Sequence, residues 1–338
     1  MKKSLLGLGL LVLAQLAPVA VAQDVVNIYS FRQPFLINPI LESFTVKTGI
    51  KTKVVFAKKG LLERMKREGK FSPADLVLTS NFSMLLQLEE AGLTQAIDSK
   101  VVDVNVPEAY RDPNDQWLAL TKRVRNIYTS RERMGDMSKM SYEDLASDKY
   151  RGKICTRSGK HPYNLSLVAS MIAHHGKAKA KEWLLGVKAN LARKPQGNDR
   201  AQVKAIKEGL CDVSLGNSYY LGKMVQDEKQ KVWADAVNIN FPNQKDRGAH
   251  INVSGVVLAK NAPHKDSAVK LVEYLTSDSA QKLYASLNME YPVKPGVELS
   301  ELVSSWGEFK EDEIAIADIA KLRFEALALI DETRFDLN

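Results

Sequence analysis

Residues 25–78 read VVNIYSFRQPFLINPILESFTVKTGIKTKVVFAKKGLLERMKREGKFSPADLVL, and the rhythm of this stretch decides the fold class. Three short apolar runs, Val25 to Tyr29, Lys51 to Phe56 and Ala74 to Leu78, are strand-like in length and rich in β-branched residues. Between them lie two helical patterns. The first spans Pro39 to Thr48, with Ile40, Leu41 and Phe44 on one face and Gly49 as its stop; Asn38 suits the N-cap and Pro39 the first helical position. The second spans Leu61 to Glu68 and stops at Gly69, and a third helix, Met84 to Ala91, stops at Gly92. Strands alternating with helices on short loops form a parallel, doubly wound sheet. In such sheets ligands sit beyond the C-terminal ends of strands, near a switch in strand order. Ser30–Pro34 and Thr79–Ser83 follow strands directly and are therefore candidate site loops.

A second α/β block begins near Arg123. It reads as a strand at Val124–Thr129, a short helix at Ser141–Ala146 with a capping box from Ser141 to Asp144, and a strand at Lys153–Cys155. Helices follow at Leu165–His174, with Asn164 as N-cap, and at Ala178–Asn190 and Arg200–Glu208. Cys211–Leu215 is a strand and Gly216-Asn217-Ser218 a turn leading into Tyr219-Tyr220. Val253–Ala259 returns as a strand to the first block, helices occupy Ala268–Thr276 and Ala280–Ser286, and Glu311–Ala328 reads as one long closing helical stretch. Crossings near Leu120–Arg123 and Ser254–Val257 suit hinge closure around a ligand.

The N-terminus indicates where the chain works. Lys2 and Lys3 precede an apolar run from Leu5 to Leu16, and Ala20-Val21-Ala22 is a small-x-small cleavage site, so residues 1–22 are expected to be a secretory leader. The run is too short to span a bilayer. The mature chain is expected outside the cytoplasm, and its length favours two domains. The formal charge of the full chain is +8, which falls by two when Lys2 and Lys3 leave. Export argues against a nucleic-acid partner, and the lysines are scattered. Cys155 and Cys211 are the two cysteines. An oxidising compartment permits a bridge between them, whereas structural zinc needs four ligands.

The sharpest local feature is Tyr219-Tyr220, directly after CDVSLGNS. Alone, two adjacent tyrosines are usually packing aromatics. Phenolate oxygen, however, is a hard anionic ligand suited to a trivalent cation, and a metal's charge lowers the ligand pKa from its ordinary value of about 10. Tyr163, in CTRSGKHPYNLS, sits after a strand and before a helix N-terminus, where anions are held. Three such tyrosines would provide three negative oxygens. Arg32 with Gln33 in the first site loop, and Arg123 or Arg125 at the crossover, are candidate anion holders, because an arginine fork matches carbonate or carboxylate. Asn198 and Asn217 are turn residues able to face the cleft. His161 reads as a solvated loop histidine, and His174-His175 as structural. The chain has no HExxH, GxSxG, Walker A or GxGxxG motif, so enzymatic readings rank last.

With NIYSFRQP, FSPADLVLTSN, LALTKRVR, HPYNLS, ARKPQGNDRAQ and CDVSLGNSYYLGKM together, the chain resembles the periplasmic ferric-iron-binding proteins, bacterial transferrin-like members of the type 2 substrate-binding fold. The resemblance implies an α/β, two-lobed fold with a doubly wound mixed sheet in each lobe and the ligand cleft between them. The implied lobes are 23–122 with about 247–298, and 123–246 with about 299–338. It further implies Fe(III) held by Tyr163, Tyr219 and Tyr220; a synergistic anion, carbonate or bicarbonate, held by Arg32, Gln33 and Arg123; and Asn198 and Asn217 behind them. The implied setting is a periplasmic monomer that serves an inner-membrane ABC permease and its ATPase, without enzymatic activity. Many relatives carry histidine in the first-lobe loop, where this chain has Phe31-Arg32-Gln33-Pro34, and others a Glu where it has Ser80. The first lobe thus offers no metal ligand, which keeps another anionic or chelated cargo, such as ferric citrate, as the alternative.

Overall fold

In the computed structural model, which describes residues 24–337, the strands are β1 (Val25–Ser30), β2 (Lys51–Phe56), β3 (Leu76–Thr79), β4 (Thr94–Gln95), β5 (Leu118–Ser130), β6 (Ile154–Cys155), β7 (Val213–Asn217), β8 (Val237–Asn240), β9 (Ile251–Ala259) and β10 (Tyr291–Pro292). The main order is β2-β1-β3-β9-β5-β7-β6. β2, β1 and β3 are parallel, as is the pair β6–β7, while β9 runs antiparallel to β3 and β5, and β7 and β8 run antiparallel to β5. The result is an α/β fold of two lobes, each with a mixed sheet. The leader expected at residues 1–22 lies outside the described residues. Among those described, no helix is long and apolar enough to cross a membrane.

β5 joins the lobes. Leu118–Val124 pairs with β9, and Arg125–Thr129 pairs with β7, so one strand serves both sheets. This explains why it starts six residues before the expected Val124: the added stretch is the half that pairs with β9. The first core includes Val26, Ile28, Phe44, Leu76, Leu85 and Val257; the second includes Ile127, Tyr142, Ile154, Leu167 and Trp183. A smaller cluster of Val124, Phe241, Ile251, Met289 and Tyr291 surrounds the crossing. The closing segment touches both main cores, Ile316 and Ala320 packing into the first and Ile319, Leu329 and Ile330 into the second.

Four local expectations are corrected. The first helix spans Pro34–Thr48, with Pro34 rather than Pro39 in the first turn and Gln33 rather than Asn38 as its cap residue. Pro39 lies inside and withholds one helical hydrogen bond, but the extra turn buries Ile37, which offsets that loss. The helix expected from Leu165 starts at Pro162 and runs to Ala189, broken at Gly176, whose φ of 75° and ψ of 162° separate the two patterns read from sequence. Its cap is His161, whose Nδ1 accepts the Tyr163 N–H at 3.3 Å, and Asn164 is buried within it. Gly216 and Asn217 belong to β7, and the helix starts at Ser218. Finally, Glu311–Ala328 is not one helix. Lys310 to Asp312 is held extended by backbone bonds to Ala249, and helices form only at Ile316–Lys321 and Arg323–Glu332. Tertiary pairing there overrides local propensity.

Cys155 and Cys211 form a disulfide, with a Cα–Cα distance of 5.8 Å and 56 residues of separation. The closed loop contains Tyr163, and Cys211 stands just before β7. In the chain-entropy view, a loop of this size restricts the unfolded state by about 4 kcal/mol. The double variant Cys155→Ser/Cys211→Ser is expected to lose about 2–4 kcal/mol, read as a lower urea midpoint relative to the oxidised parent.

Candidate metal centre

The three tyrosines stand on two helix N-termini. Tyr163 is the second residue of the helix that begins at Pro162, and Tyr219 and Tyr220 occupy the first turn of helix Ser218–Val225. β7 fixes where that second helix starts. Gly216 packs so closely on the Tyr128 ring that a Cβ there would overlap it, and the Tyr128 hydroxyl donates to the Asn217 carbonyl at 2.8 Å. Ser218 Oγ then accepts the Val124 N–H at 3.3 Å. The helix start brings the adjacent tyrosines together instead of pointing them to opposite faces, as a strand would. Their rings stack with centroids 4.3 Å apart and planes inclined by 29°. The Tyr163 and Tyr219 hydroxyl oxygens are 3.3 Å apart. All three rings are half-buried and open on a cleft of about 480 Å³.

The cleft is cationic. Arg32, Lys58, Arg200 and Lys223 line it, with Gln33, Ser80, His161 and Asn198, and none of the lining residues is Asp or Glu. Arg157 and Arg123 lie 5.3 Å and 5.7 Å from the Tyr163 ring centre, and Arg200 lies 5.7 Å from that of Tyr220. Behind the tyrosines, buried Asp199 accepts from Arg125 at 2.8 Å, Arg157 at 3.1 Å and the Asn217 N–H at 3.0 Å. Burial opposes ionisation of Asp199, but the two arginines and the N–H hold its pKa below the usual carboxylate value. Arg125 also donates to Asn217 Oδ1 and Asn164 Oδ1, at 3.1 Å and 2.5 Å. On the other side, Arg32 donates to buried Glu290 at 2.9 Å, and Arg123 lies 3.8 Å from the same carboxylate.

These surroundings set the protonation states. Burial, followed by the neighbouring phenols Tyr163 and Tyr220, pushes the Tyr219 pKa well above its ordinary value, against the pull of Arg123. Burial and then Asp199 raise that of Tyr220. Both are neutral phenols near pH 7 in the metal-free protein. Burial, and then Arg157, push the His161 imidazole down to about 3, so it too is neutral.

The structure brings Tyr163, Tyr219 and Tyr220 together and places Arg32, Gln33 and Asn198 on the cleft wall, with Arg123 against the Tyr163 ring. Asn198 caps helix Asp199–Lys207 by accepting the Ala201 N–H at 3.0 Å. Asn217 does not face the cleft; it is buried in β7 and holds Arg125, itself committed to Asp199. His161 is not a solvated loop residue but a half-buried cap whose ring meets that of Tyr163 at 4.6 Å. His174 and His175 pair with Asp312 and Glu143, in line with a structural role. Sequence reasoning missed Arg157, Asp199, Arg200, Glu290, Lys58 and Lys223. Arg157 had a usable signal, since it follows β6 by two residues, in the loop type that flagged Arg32. Glu290 had none, being 258 residues from its partner Arg32. No cluster of three or more His, Cys, Asp or Glu side chains able to hold a metal exists among the described residues.

Residues 55–306 match the family model described as bacterial extracellular solute-binding protein. The chain is 40% identical over 322 residues to iron uptake protein A1 of Synechocystis sp., covering 94% of this chain and 89% of that protein. It superposes on the apo ferric ion-binding protein A of Pasteurella haemolytica with a TM-score of 0.89 and 56% identity, covering 93% of this chain and 98% of that one. A Trichodesmium protein in complex with iron and citrate ligands gives a TM-score of 0.87 and 39% identity, over 92% of this chain and 100% of that one.

Removing the Asp199 carboxylate would leave Arg125 and Arg157 buried without their counter-charge. Asp199→Ala is expected to destabilise the protein by about 3–5 kcal/mol, against about 1 kcal/mol for Asn198→Ala at the helix cap, both measured by urea unfolding.

Proposed function

Because the chain belongs to the bacterial extracellular solute-binding protein family, whose members are transport proteins and not enzymes, we propose that it captures ferric iron in the periplasm and delivers it to an ABC importer. The phenolates of Tyr163, Tyr219 and Tyr220 would bind the cation. A synergistic anion, carbonate in our reading, would complete the shell, held by Arg32, Gln33 and Arg123. The supporting observation is the placement of three half-buried phenols, two with hydroxyls 3.3 Å apart, on a cleft that no carboxylate lines. The related iron uptake and ferric-binding proteins point to the same cargo.

The charges match. Three phenolates carry −3 against a trivalent ion, and the surrounding arginines offset the anion. Closure would bring Arg32 and Gln33 toward the tyrosines by rotation about β5 and β9. In this proposal the moving bodies are residues 23–122 with about 247–298, and 123–246 with about 299–338, acting as a monomer. The closed surface would be read by the permease of the importer and its ATPase.

Fe(III) must displace phenol protons, and burial has raised the pKa values of Tyr219 and Tyr220. Apparent affinity is therefore expected to fall as pH falls, approaching about three decades per pH unit if all three protons leave, as read by competition with a chelator between pH 8 and pH 5. Iron-loaded protein should show a visible phenolate-to-Fe(III) charge-transfer band, and Tyr220→Phe should remove most of it. A band unchanged in Tyr220→Phe would strike that residue from the ligand set. Tight binding of citrate, equal with and without iron, would point to an anion carrier instead.

A further inference from the structure

We propose that Glu290 sets the charge with which the first lobe meets the incoming anion, and so determines which anions the cleft accepts. The inference rests on the reading of Arg32 and Arg123 as anion holders. Glu290 is only 3% exposed and stands behind the cleft wall. One of its oxygens accepts from Arg32 Nη2 at 2.9 Å and from Thr121 Oγ1 at 2.8 Å; the other lies 3.8 Å from Arg123 Nη1. Thr121 Oγ1 is in turn 2.5 Å from Ser254 Oγ. The carboxylate is thus anchored at the level where β5 and β9 cross between the lobes.

Among the described residues, Glu290 is the only acidic partner of either arginine. One negative charge therefore faces two positive ones, leaving a surplus of +1 in a site with little solvent to screen it. Arg32 lines the same cleft as the tyrosines and Arg123 lies 5.7 Å from the Tyr163 ring centre, so the surplus is presented toward the tyrosines. The Nε–H groups of Arg32 and Arg123 are buried without a partner among the described residues. An arriving anion meets an Arg32 fork already partly occupied by the carboxylate and an Arg123 whose Nη2 donates to the carbonyls of Ser80 and Val253, and must share them. A smaller surplus charge weakens attraction for every anion, and most for those of highest charge. Glu290 therefore acts as a fixed discount against polyanions, fitting the first lobe to a small anion rather than a multiply charged one.

The test is calorimetric titration of citrate and of bicarbonate into the metal-free protein. Glu290→Gln keeps the shape and an acceptor for Arg32 and Thr121 but removes the charge, doubling the surplus. Citrate binding should tighten at least about tenfold, with a smaller gain for bicarbonate, because one unscreened charge at this range exceeds a factor of ten. Glu290→Asp, which retains the charge, should stay within about threefold of the parent. A purely structural role for Glu290 predicts the opposite sign, weaker binding in both variants, and that result would overturn the inference. If Glu290→Gln alone does not fold, the same one-charge step is read between Arg32→Gln and Arg32→Gln/Glu290→Gln. The double variant must bind citrate more tightly than the single, and equal binding sinks the proposal. Arg32→Gln alone separates the two readings. If it leaves citrate and bicarbonate affinity unchanged, Arg32 holds no anion and both readings fall. If it weakens them while removal of the Glu290 charge has no effect, only the role of Glu290 fails.

Discussion

The site depends on Asp199, a carboxylate without solvent access that gathers Arg125, Arg157 and the Asn217 N–H. Each donor comes from a different part of the second lobe: Arg125 from the crossing strand, Arg157 from the loop after β6, and Asn217 from the end of β7. The two tyrosine-bearing helices start beside these groups. Asn164, one residue past Tyr163, accepts from Arg125, and Ser218, one residue before Tyr219, follows Asn217. A single buried charge thus fixes the spacing of two helix N-termini that are far apart in sequence. Ionised groups this deep are tolerated only when paired and hydrogen-bonded, and here the requirement doubles as the device that positions the phenols.

A similar arrangement recurs across the cleft. Arg32 and Arg123 share Glu290 much as Arg125 and Arg157 share Asp199, and each set keeps one positive charge in excess. The guanidinium charge is permanent, so neither excess is relieved by losing a proton near neutral pH. Neutral phenols between two such sets feel a field that favours their ionisation, while burial and mutual repulsion oppose it. The balance leaves Tyr219 and Tyr220 protonated near neutral pH. β5 links the two sets directly, because Arg123 and Arg125 are alternate residues of one strand and Val124 between them packs in the crossing cluster.

Much of this was legible in the sequence, for a physical reason that varies by element. Strands and helices of the first lobe announce themselves through apolar periodicity and glycine stops, both local signals. Tyr163, Tyr219 and Tyr220 could be named because each follows a strand and opens a helix, again a local pattern. Helix starts were displaced where burial outside the segment decided the outcome, as at Pro34 with Ile37. The closing stretch failed because Ala249 pairs with residues more than sixty positions away. The counter-charges were the least legible part. Asp199 sits inside ARKPQGNDRAQ with no local sign of its burial, and Glu290 has no local context that marks it. Buried ion pairs are defined by what the chain folds against them, which spacing does not encode.

The protonation state of the cleft also bears on the order of events. A trivalent cation approaching a cleft lined by Arg32, Lys58, Arg200 and Lys223 meets repulsion, since Tyr219 and Tyr220 are neutral and the two buried carboxylates are each outnumbered. An anion meets attraction at once. On the proposed reading, an anion that enters first, or travels bound to the iron, removes the barrier and brings the metal to the hydroxyls. The phenols would then release their protons to solvent, in a site whose net charge has already fallen. Acid reverses the sequence at its last step, because protonated phenols no longer balance the cation and the arginines again dominate. On this proposal, the groups that make the empty cleft unattractive to bare iron are the same ones that would make a loaded cleft dependent on its anion.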